Sequence, residues 1–219
     1  CYDDKNEARV TIHLERNDLA AMGIQPQKHF IDRVLEFFST RAEAAFWSPD
    51  HLNNLTLTVS SDSFENIVFT IPANASTYST VIPSGNNITL TITHAYYDSD
   101  TGKNQINWGG EATTNLGPGD NDISIQMKPT TWITFISPST GELSVIWKQD
   151  SNILPYISSI NIYRSTSIQG SYAFMSNQNI ESSYNDTSVT AGTTYYYKIR
   201  AISAYGESIM SEPLGATAN

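Results

Sequence analysis

The strongest constraint on the fold is a run of alternating residues near the C-terminus, within Tyr184–Ala201. Alternation with a period of two is typical of an antiparallel strand that buries one face in a core and exposes the other. Gly192 supplies a turn before this strand, and Tyr195 is placed where a corner tyrosine can reach back to the preceding loop. One face carries Thr193, Tyr195, Tyr197, Ile199 and Ala201, and the other carries Thr194, Tyr196, Lys198 and Arg200. The pattern predicts an all-β fold and by itself indicates no chemistry.

Length and charge limit the classes of protein to which the chain can belong. Its 219 residues suffice for one large β domain or for two domains of common size. The 12 basic and 22 acidic residues give a formal charge of −10, which repels phosphate backbones and disfavours binding to nucleic acid. No apolar run reaches the roughly 18 residues of a membrane-spanning helix.

The single cysteine is Cys1, so a disulfide within the chain and a zinc site built on cysteines are both excluded. A chain that begins at a lone cysteine resembles a mature bacterial lipoprotein. That resemblance implies a lipid on Cys1, a polar tether over residues 1–8, and anchoring in the bacterial outer membrane or at the cell surface, since Tyr2 differs from the aspartate of an inner-membrane retention signal. The alternative is an arbitrary chain boundary.

One segment of the N-terminal half departs from strand periodicity. After a first strand predicted at Arg9–Leu14, apolar residues recur at three- and four-residue spacing, which is typical of an amphipathic helix. They are Phe30, Ile31, Val34, Leu35, Phe37 and Phe38. We expect this helix around residues 26–45, as an insertion that caps an open end of a β-sandwich. A membrane-surface helix is less favoured, because its acidic residues balance its basic ones.

Short alternating strands separated by Gly, Pro and Asn turns follow from Leu52 onward, which is typical of a sandwich. The segments VIPSGNNITLTI and WGGEATTNLGPGDNDISIQM resemble Ig-like modules of bacterial surface lipoproteins. The resemblance covers about Leu52–Lys128 and implies a fold without an activity.

The C-terminal part resembles a fibronectin type III module over about Thr131–Thr217. Trp147 matches the core tryptophan of the second strand, INIYRSTSIQGSY the third strand, YNDTSV the fifth and AGTTYYYKIRAIS the sixth. No Arg-Gly-Asp tripeptide occurs, so the integrin contact of some modules is not implied. The prediction is two tandem Ig-like β-sandwiches, at residues 9–129 and 130–219.

Sequence motifs for catalysis are lacking, and we therefore expect no enzyme activity and no cofactor. The four histidines show neither i,i+3 nor i,i+4 pairing, and no nucleophile elbow or phosphate-binding loop is present. Asp98 and Asp100 begin like a calcium loop, but Gly102 and Gly109 stand where further acidic ligands belong. A hairpin turn explains this segment better.

Aromatic residues supply the remaining candidate site. Tyr96, Tyr97 and Trp108 flank one predicted hairpin and could form a stacking patch for a sugar. The competing interpretation is cross-strand aromatic packing, which stabilises pairing by roughly 0.2–1 kcal/mol.

Three functions follow as hypotheses from these features. The first is a non-catalytic, lipid-anchored envelope protein that acts in adhesion or protein–protein interaction. The second is a structural subunit of a filament or sheath, which would use sheet edges for self-contact. The third is a carbohydrate-binding accessory protein.

Overall fold

The computed structural model describes residues 7–15, 54–73, 75–99, 102–180 and 183–219. The helix predicted around residues 26–45, Cys1 and most of the tether lie outside the described residues. The described chain is all-β, with sixteen strands and one short 3-10 helix, Leu154–Tyr156. In the part of the chain described here, no helix is long and apolar enough to cross a membrane.

The described residues group into two compact units. Unit 1 comprises the described residues up to His94 together with Glu111–Met127. Unit 2 comprises Ala95–Gly110 and Lys128–Asn219. Two long strands, β5 (Gly85–Asp98) and β6 (Lys103–Leu116), therefore contribute residues to both units.

Unit 1 contains one sheet with the order β4-β1-β7 and a second with the order β3-β2-β5-β6. Strand β1 pairs antiparallel with β4 and parallel with β7, so the first strand is central in its sheet. The further bounds are β1 (Glu7–Glu15), β2 (Leu55–Ser61), β3 (Phe64–Ile71), β4 (Thr77–Pro83) and β7 (Gly119–Gln126).

The core of unit 1 follows from period-two alternation on both sheets. On β1, alternate residues from Ala8 to Leu14 are at most 7% exposed. On β2 and β5 the buried residues are Leu55, Leu57, Val59, Ile88, Leu90 and Ile92, each 0% exposed. Burial of a Val, Leu or Ile side chain contributes about 1.5–3 kcal/mol, so these rows determine which face of each sheet turns inward.

Unit 2 is built from a three-stranded sheet with the order β13-β10-β9 and a larger sheet with the order β12-β11-β14-β15, in which β16 also pairs with β14. Short strand β8 pairs with β6 at Trp108 and Gly109. The bounds are β8 (Lys128–Pro129), β9 (Trp132–Ser139), β10 (Glu142–Lys148), β11 (Ile157–Ser165), β12 (Ala173–Gln178), β13 (Tyr184–Asp186), β14 (Thr194–Ser203), β15 (Gly206–Glu207) and β16 (Leu214–Thr217).

This strand order agrees with the fibronectin type III resemblance. Trp147 lies on β10, the second strand of the series that begins at β9, and the Tyr-Arg-Ser sequence ends β11, the third. The alternating run within Tyr184–Ala201 forms most of β14, whose residues alternate between intermediate and buried along its whole length. The all-β, Fn3-like β-sandwich prediction is thereby confirmed for unit 2.

Candidate functional site

Of the three aromatic residues of the predicted stacking patch, Trp108 is buried, Tyr96 is half-buried and Tyr97 is exposed. Trp108 is 2% exposed, and its ring centroid lies 6.3 Å from that of Tyr156. The Tyr96 ring lies 6.4 Å from the ring of Trp132. Tyr97, by contrast, is 59% exposed. The open three-ring patch therefore has to be corrected for Trp108, which lies in a stretch of β6 where Asn107, Trp108, Gly109 and Gly110 are all buried.

The candidate calcium ligand Asp98 is engaged with a cation of the protein. It is 1% exposed, and Lys148 Nζ lies 2.9 Å from its Oδ1. Its backbone carbonyl accepts a hydrogen bond from Gly102 N–H, and Gly102 has a φ of 65° that favours glycine. Asp100 lies outside the described residues. Within the described ranges, no group of three or more His, Cys, Asp and Glu side chains is placed to hold a metal ion.

A buried polar cluster joins the two sheets of unit 2. Asp186 on β13 is 1% exposed and accepts hydrogen bonds from Arg164 Nη1 at 2.6 Å and from Tyr197 Oη at 2.7 Å. The backbone N–H and the hydroxyl of Ser188 donate to its other oxygen, at 2.9 and 2.7 Å. Because β13 belongs to one sheet and β11 and β14 belong to the other, the Asp186 carboxylate links the two sheets through hydrogen bonds.

The protonation states of the cluster follow from these contacts. Burial alone would raise the pKa of Asp186, but hydrogen bonds from Ser188, Tyr197 and Arg164 hold that pKa below its ordinary value of 3.8. Burial and the hydrogen bond to Asp186 raise the pKa of Tyr197 far above its ordinary value. Near neutral pH the carboxylate is therefore ionised and the phenol donates to it.

Tyr195 occupies the predicted corner position. Its hydroxyl accepts a hydrogen bond from Thr190 N–H at 3.1 Å, so it ties the start of β14 to the preceding loop. The guanidinium carbon of Arg164 lies 4.8 Å from the centre of its ring. The role assigned to Tyr195 from the sequence is confirmed, and it is a structural one.

The outer face of the larger sheet of unit 2 carries rings and cations side by side. Tyr163 on β11 is opposite Phe174 on β12 and opposite Lys198 on β14. The ring centroids of Tyr163 and Phe174 are 5.8 Å apart in an edge-on arrangement, and Phe174 is 57% exposed. We call this surface the aromatic face, defined by Tyr163, Tyr172, Phe174, Tyr196, Lys198 and Arg200.

Local contacts hold the side chains of the aromatic face in place. Lys198 Nζ lies 4.9 Å from the centre of the Tyr172 ring, a cation–π distance. The Tyr196 ring lies over Gly215 of β16, where an added Cβ would be 2.7 Å from two ring carbons. Arg200 Nη1 donates to the carbonyl of Ser208 at 2.8 Å. Each group therefore has a preferred position before any ligand arrives.

A different exposed surface lies on the three-stranded sheet of unit 2. Phe135 on β9 and Ile146 on β10 are opposite one another, and they are 56% and 40% exposed. We call this pair the Phe135–Ile146 patch. Its apolar surface is in contact with water, whereas the alternate residues Leu143, Val145 and Trp147 of β10 face the core.

Unit 2 also contains an open cavity of about 330 Å³. Residues 103–106, 130–133 and 209–214 line it. One of these residues, Trp132, is 5% exposed, and its indole N–H has no hydrogen-bond partner among the described residues. An unpaired buried donor costs about 1–3 kcal/mol, so this indole is a weak point of the fold.

Alternation along β14 predicts its inward face but not the aromatic face. It predicts Tyr196, Lys198 and Arg200 on the outward side of the strand, as the structure confirms. Alternation does not connect Tyr163 and Phe174 with them, because it does not reveal which strands lie next to β14 in the sheet. The sheet order β12-β11-β14 is the signal that brings these residues together.

Comparison with known proteins yields structural similarities without a family. No protein-family model and no curated protein matches the chain. An Fn3-like protein from Clostridium thermocellum is similar over 40% of this chain and 92% of its own, with 26% identity and a TM-score of 0.34. A DUF3823 family protein from Parabacteroides merdae is similar over 97% and 99% of the two chains, with 14% identity and a TM-score of 0.29.

A third similar structure is a beta-1,2-glucanase from Parabacteroides distasonis, with 14% identity and a TM-score of 0.36. The similarity covers 77% of this chain and 25% of the glucanase, so the chain matches about a quarter of that enzyme.

Proposed function

We propose that this protein is a non-catalytic, lipid-anchored component of the bacterial cell envelope that acts in adhesion or protein–protein interaction. In this proposal a lipid on Cys1 holds the chain at the outer membrane or cell surface. Two tandem Ig-like sandwiches, the first with a helix inserted around residues 26–45, follow the tether. The contact with a protein partner lies on unit 2.

The Phe135–Ile146 patch carries this proposal. Two large apolar side chains that are opposite one another on paired strands leave a continuous apolar surface in water. The next pair on the same face of these strands, Ser137 and Ser144, is polar, as in the rim of an interface. Aromatic anchors within a polar rim are typical of the residues that dominate binding energy at interfaces.

The partners of the buried carboxylates support a role without catalysis. Asp186 is held by Arg164 and Tyr197, Asp98 by Lys148, and Asp150 by hydrogen bonds from Asn107 and Asn152. The hydrogen bonds of Asp186 join strands of the two sheets of unit 2. Such groups stabilise a rigid scaffold that presents its surface to a partner.

Site-specific photo-crosslinking on intact cells tests the proposed contact. With p-benzoylphenylalanine in place of Phe135, we expect one discrete crosslinked protein band after irradiation, because the probe lies in the contact. The matched control carries the same probe in place of Phe174, which is equally exposed at 57% but lies on the other sheet. Equal crosslinking at both positions, or none at Phe135, would contradict the proposal.

A second candidate, self-assembly into a filament or sheath, is favoured by the edges of unit 1. Among the described strands, β3 and β4 are terminal in their sheets, and they expose Val68 and Val81 at 62% and 50%. Exposed apolar residues on terminal strands favour pairing with another chain. With p-benzoylphenylalanine in place of Val81 on β4, a crosslinked band at twice the mass of the protein would favour this candidate.

The lipid anchor makes an independent prediction. Protein isolated from native membranes is expected to be heavier than the polypeptide by the mass of a diacylglycerol and an acyl chain on Cys1. Each buried CH₂ of such chains contributes about 0.8 kcal/mol to membrane binding, so the protein should stay in the detergent phase. Intact-mass spectrometry is the measurement, and replacement of Cys1 by Ser is the control. A free thiol in the native protein would rule the anchor out.

A further inference from the structure

We infer that the aromatic face of unit 2 is a binding site for an acidic polysaccharide, meaning a glycan chain whose sugars carry carboxylates. This site is separate from the Phe135–Ile146 patch, because the two lie on different sheets of the unit. The inference rests on ring placement, on charge and on hydrogen-bonding groups of the aromatic face.

The rings provide a surface that suits sugars. Tyr163 and Phe174 are neighbours across a strand pair, Tyr172 packs against Lys198, and the Tyr196 ring lies against Gly215. Rings that project from one sheet face can each contact the apolar face of a pyranose. Because tyrosine also has a polar tip, such contacts combine burial with hydrogen bonding.

The charge of this sheet is opposite to that of the whole protein. Its strands β11, β12, β14, β15 and β16 contain three basic residues and one acidic residue, although the chain as a whole has a formal charge of −10. Arg164 is paired with the buried Asp186, so Lys198 and Arg200 are the cations on the outward side of β14. An anionic ligand is attracted here and repelled by an acidic surface elsewhere.

The one carboxylate of the sheet is already engaged. Glu207 Oε1 accepts hydrogen bonds from Tyr163 Oη at 2.5 Å and Asn161 Nδ2 at 2.9 Å. Burial would raise the pKa of Glu207, but these bonds and the nearby Arg200 and Lys128 lower it. Glu207 therefore orients Tyr163 and Asn161 and lies near Arg200, so Lys198, whose Nζ is 4.9 Å from the centre of the Tyr172 ring, is the cation of β14 that can meet a carboxylate of a ligand.

Binding of the full chain to alginate, a polymer of uronic acids, tests the inference. The matched probe is its propylene glycol ester, which keeps the sugar rings and loses the charge. We expect alginate to bind and the ester to bind at least about tenfold more weakly. Binding should weaken as the ionic strength rises from about 0.01 M to about 1 M, since the Debye length falls from about 30 Å to about 3 Å.

Variants locate the site. Lys198→Gln and Phe174→Ser are each expected to weaken alginate binding about tenfold, through the loss of one cation or one ring contact. Phe135→Ser removes an equally exposed phenylalanine from the other sheet, at 56% against 57%, and should leave alginate binding unchanged. Thermal melting of each variant checks that the fold is kept, and Lys198→Gln serves if Phe174→Ser fails to fold.

Four results would overturn the inference. They are no binding of alginate, equal binding of the ester, equal binding of poly-L-glutamate, and equal loss of binding in Phe135→Ser. Equal binding of poly-L-glutamate would identify the ligand as an acidic peptide. The photo-crosslink at Phe135 is a separate measurement, so failure of the polysaccharide site and failure of the proposed protein contact can be distinguished.

Discussion

Replacement of Asp186 by Asn is expected to lower the free energy of unfolding of unit 2 by about 3–5 kcal/mol, the cost of breaking a buried charge pair. The variant leaves Arg164 without its counter-charge, and this loss is costly because the Arg164 side chain is only 21% exposed. It also replaces one oxygen that accepts from both Arg164 and Tyr197. Urea unfolding followed by tryptophan fluorescence measures this loss, since Trp108, Trp132 and Trp147 all belong to unit 2.

The control is Asp122→Asn, the same substitution at an exposed carboxylate of unit 1 that contacts His13. Asp122 Oδ1 lies 3.3 Å from His13 Nε2, and the Asp122 side chain is 78% exposed. Exposed pairs contribute about 0–1 kcal/mol, so this variant should be close to the wild type. Equal effects of the two substitutions would show that Asp186 does not join the sheets as described.

The loss of stability in Asp186→Asn is expected to become smaller as the pH falls. Hydrogen bonds outweigh burial and lower the pKa of Asp186 in the folded protein below the ordinary value of 3.8. The carboxylate therefore stabilises the fold fully above that value, and this contribution is lost as the pH falls through the folded pKa. The difference in stability between wild type and variant should shrink at acidic pH below 3.8. A constant difference would point to hydrogen-bond geometry instead of charge.

The inward side of unit 2 could be predicted from the sequence because it follows from local alternation. Tyr195, Tyr197 and Ile199 recur at every second position of β14, and each is buried. Trp147 lies at an inward position of β10 in the same way. Period-two patterning identifies the buried face of a strand without knowledge of its partners.

The candidate sites could not be predicted to the same extent, because they depend on which strands are neighbours. Tyr163 and Lys198 are far apart in sequence, and pairing of β11 with β14 places them opposite each other. Asp186 and Arg164 meet across two sheets, which no periodicity reveals. Tyr97 and Trp108 look alike as hairpin aromatics, yet one is 59% exposed and the other 2%.

Because Trp108 is buried and Tyr97 is exposed, their replacement should have very different effects. Trp108→Ala is expected to lower the free energy of unfolding of unit 2 by about 3–5 kcal/mol, as for other buried large-to-small substitutions. The reason is the loss of a side chain that is 2% exposed and packs against Tyr156. Fluorescence of Trp132 and Trp147 still reports the unfolding transition, and alginate binding of the folded fraction should be retained.

Tyr97→Ala is the matched control, because Tyr97 lies on β5 of the same hairpin and is 59% exposed. Its effect should stay within about 0.5 kcal/mol, the usual range for exposed positions. The opposite result, a stable Trp108→Ala variant that no longer binds alginate, would show that the ligand binds at this hairpin instead of the aromatic face. The expected result separates two uses of an aromatic residue on one hairpin: Trp108 stabilises unit 2 from within, whereas binding depends on rings and cations of the aromatic face, where strand pairing brings them together.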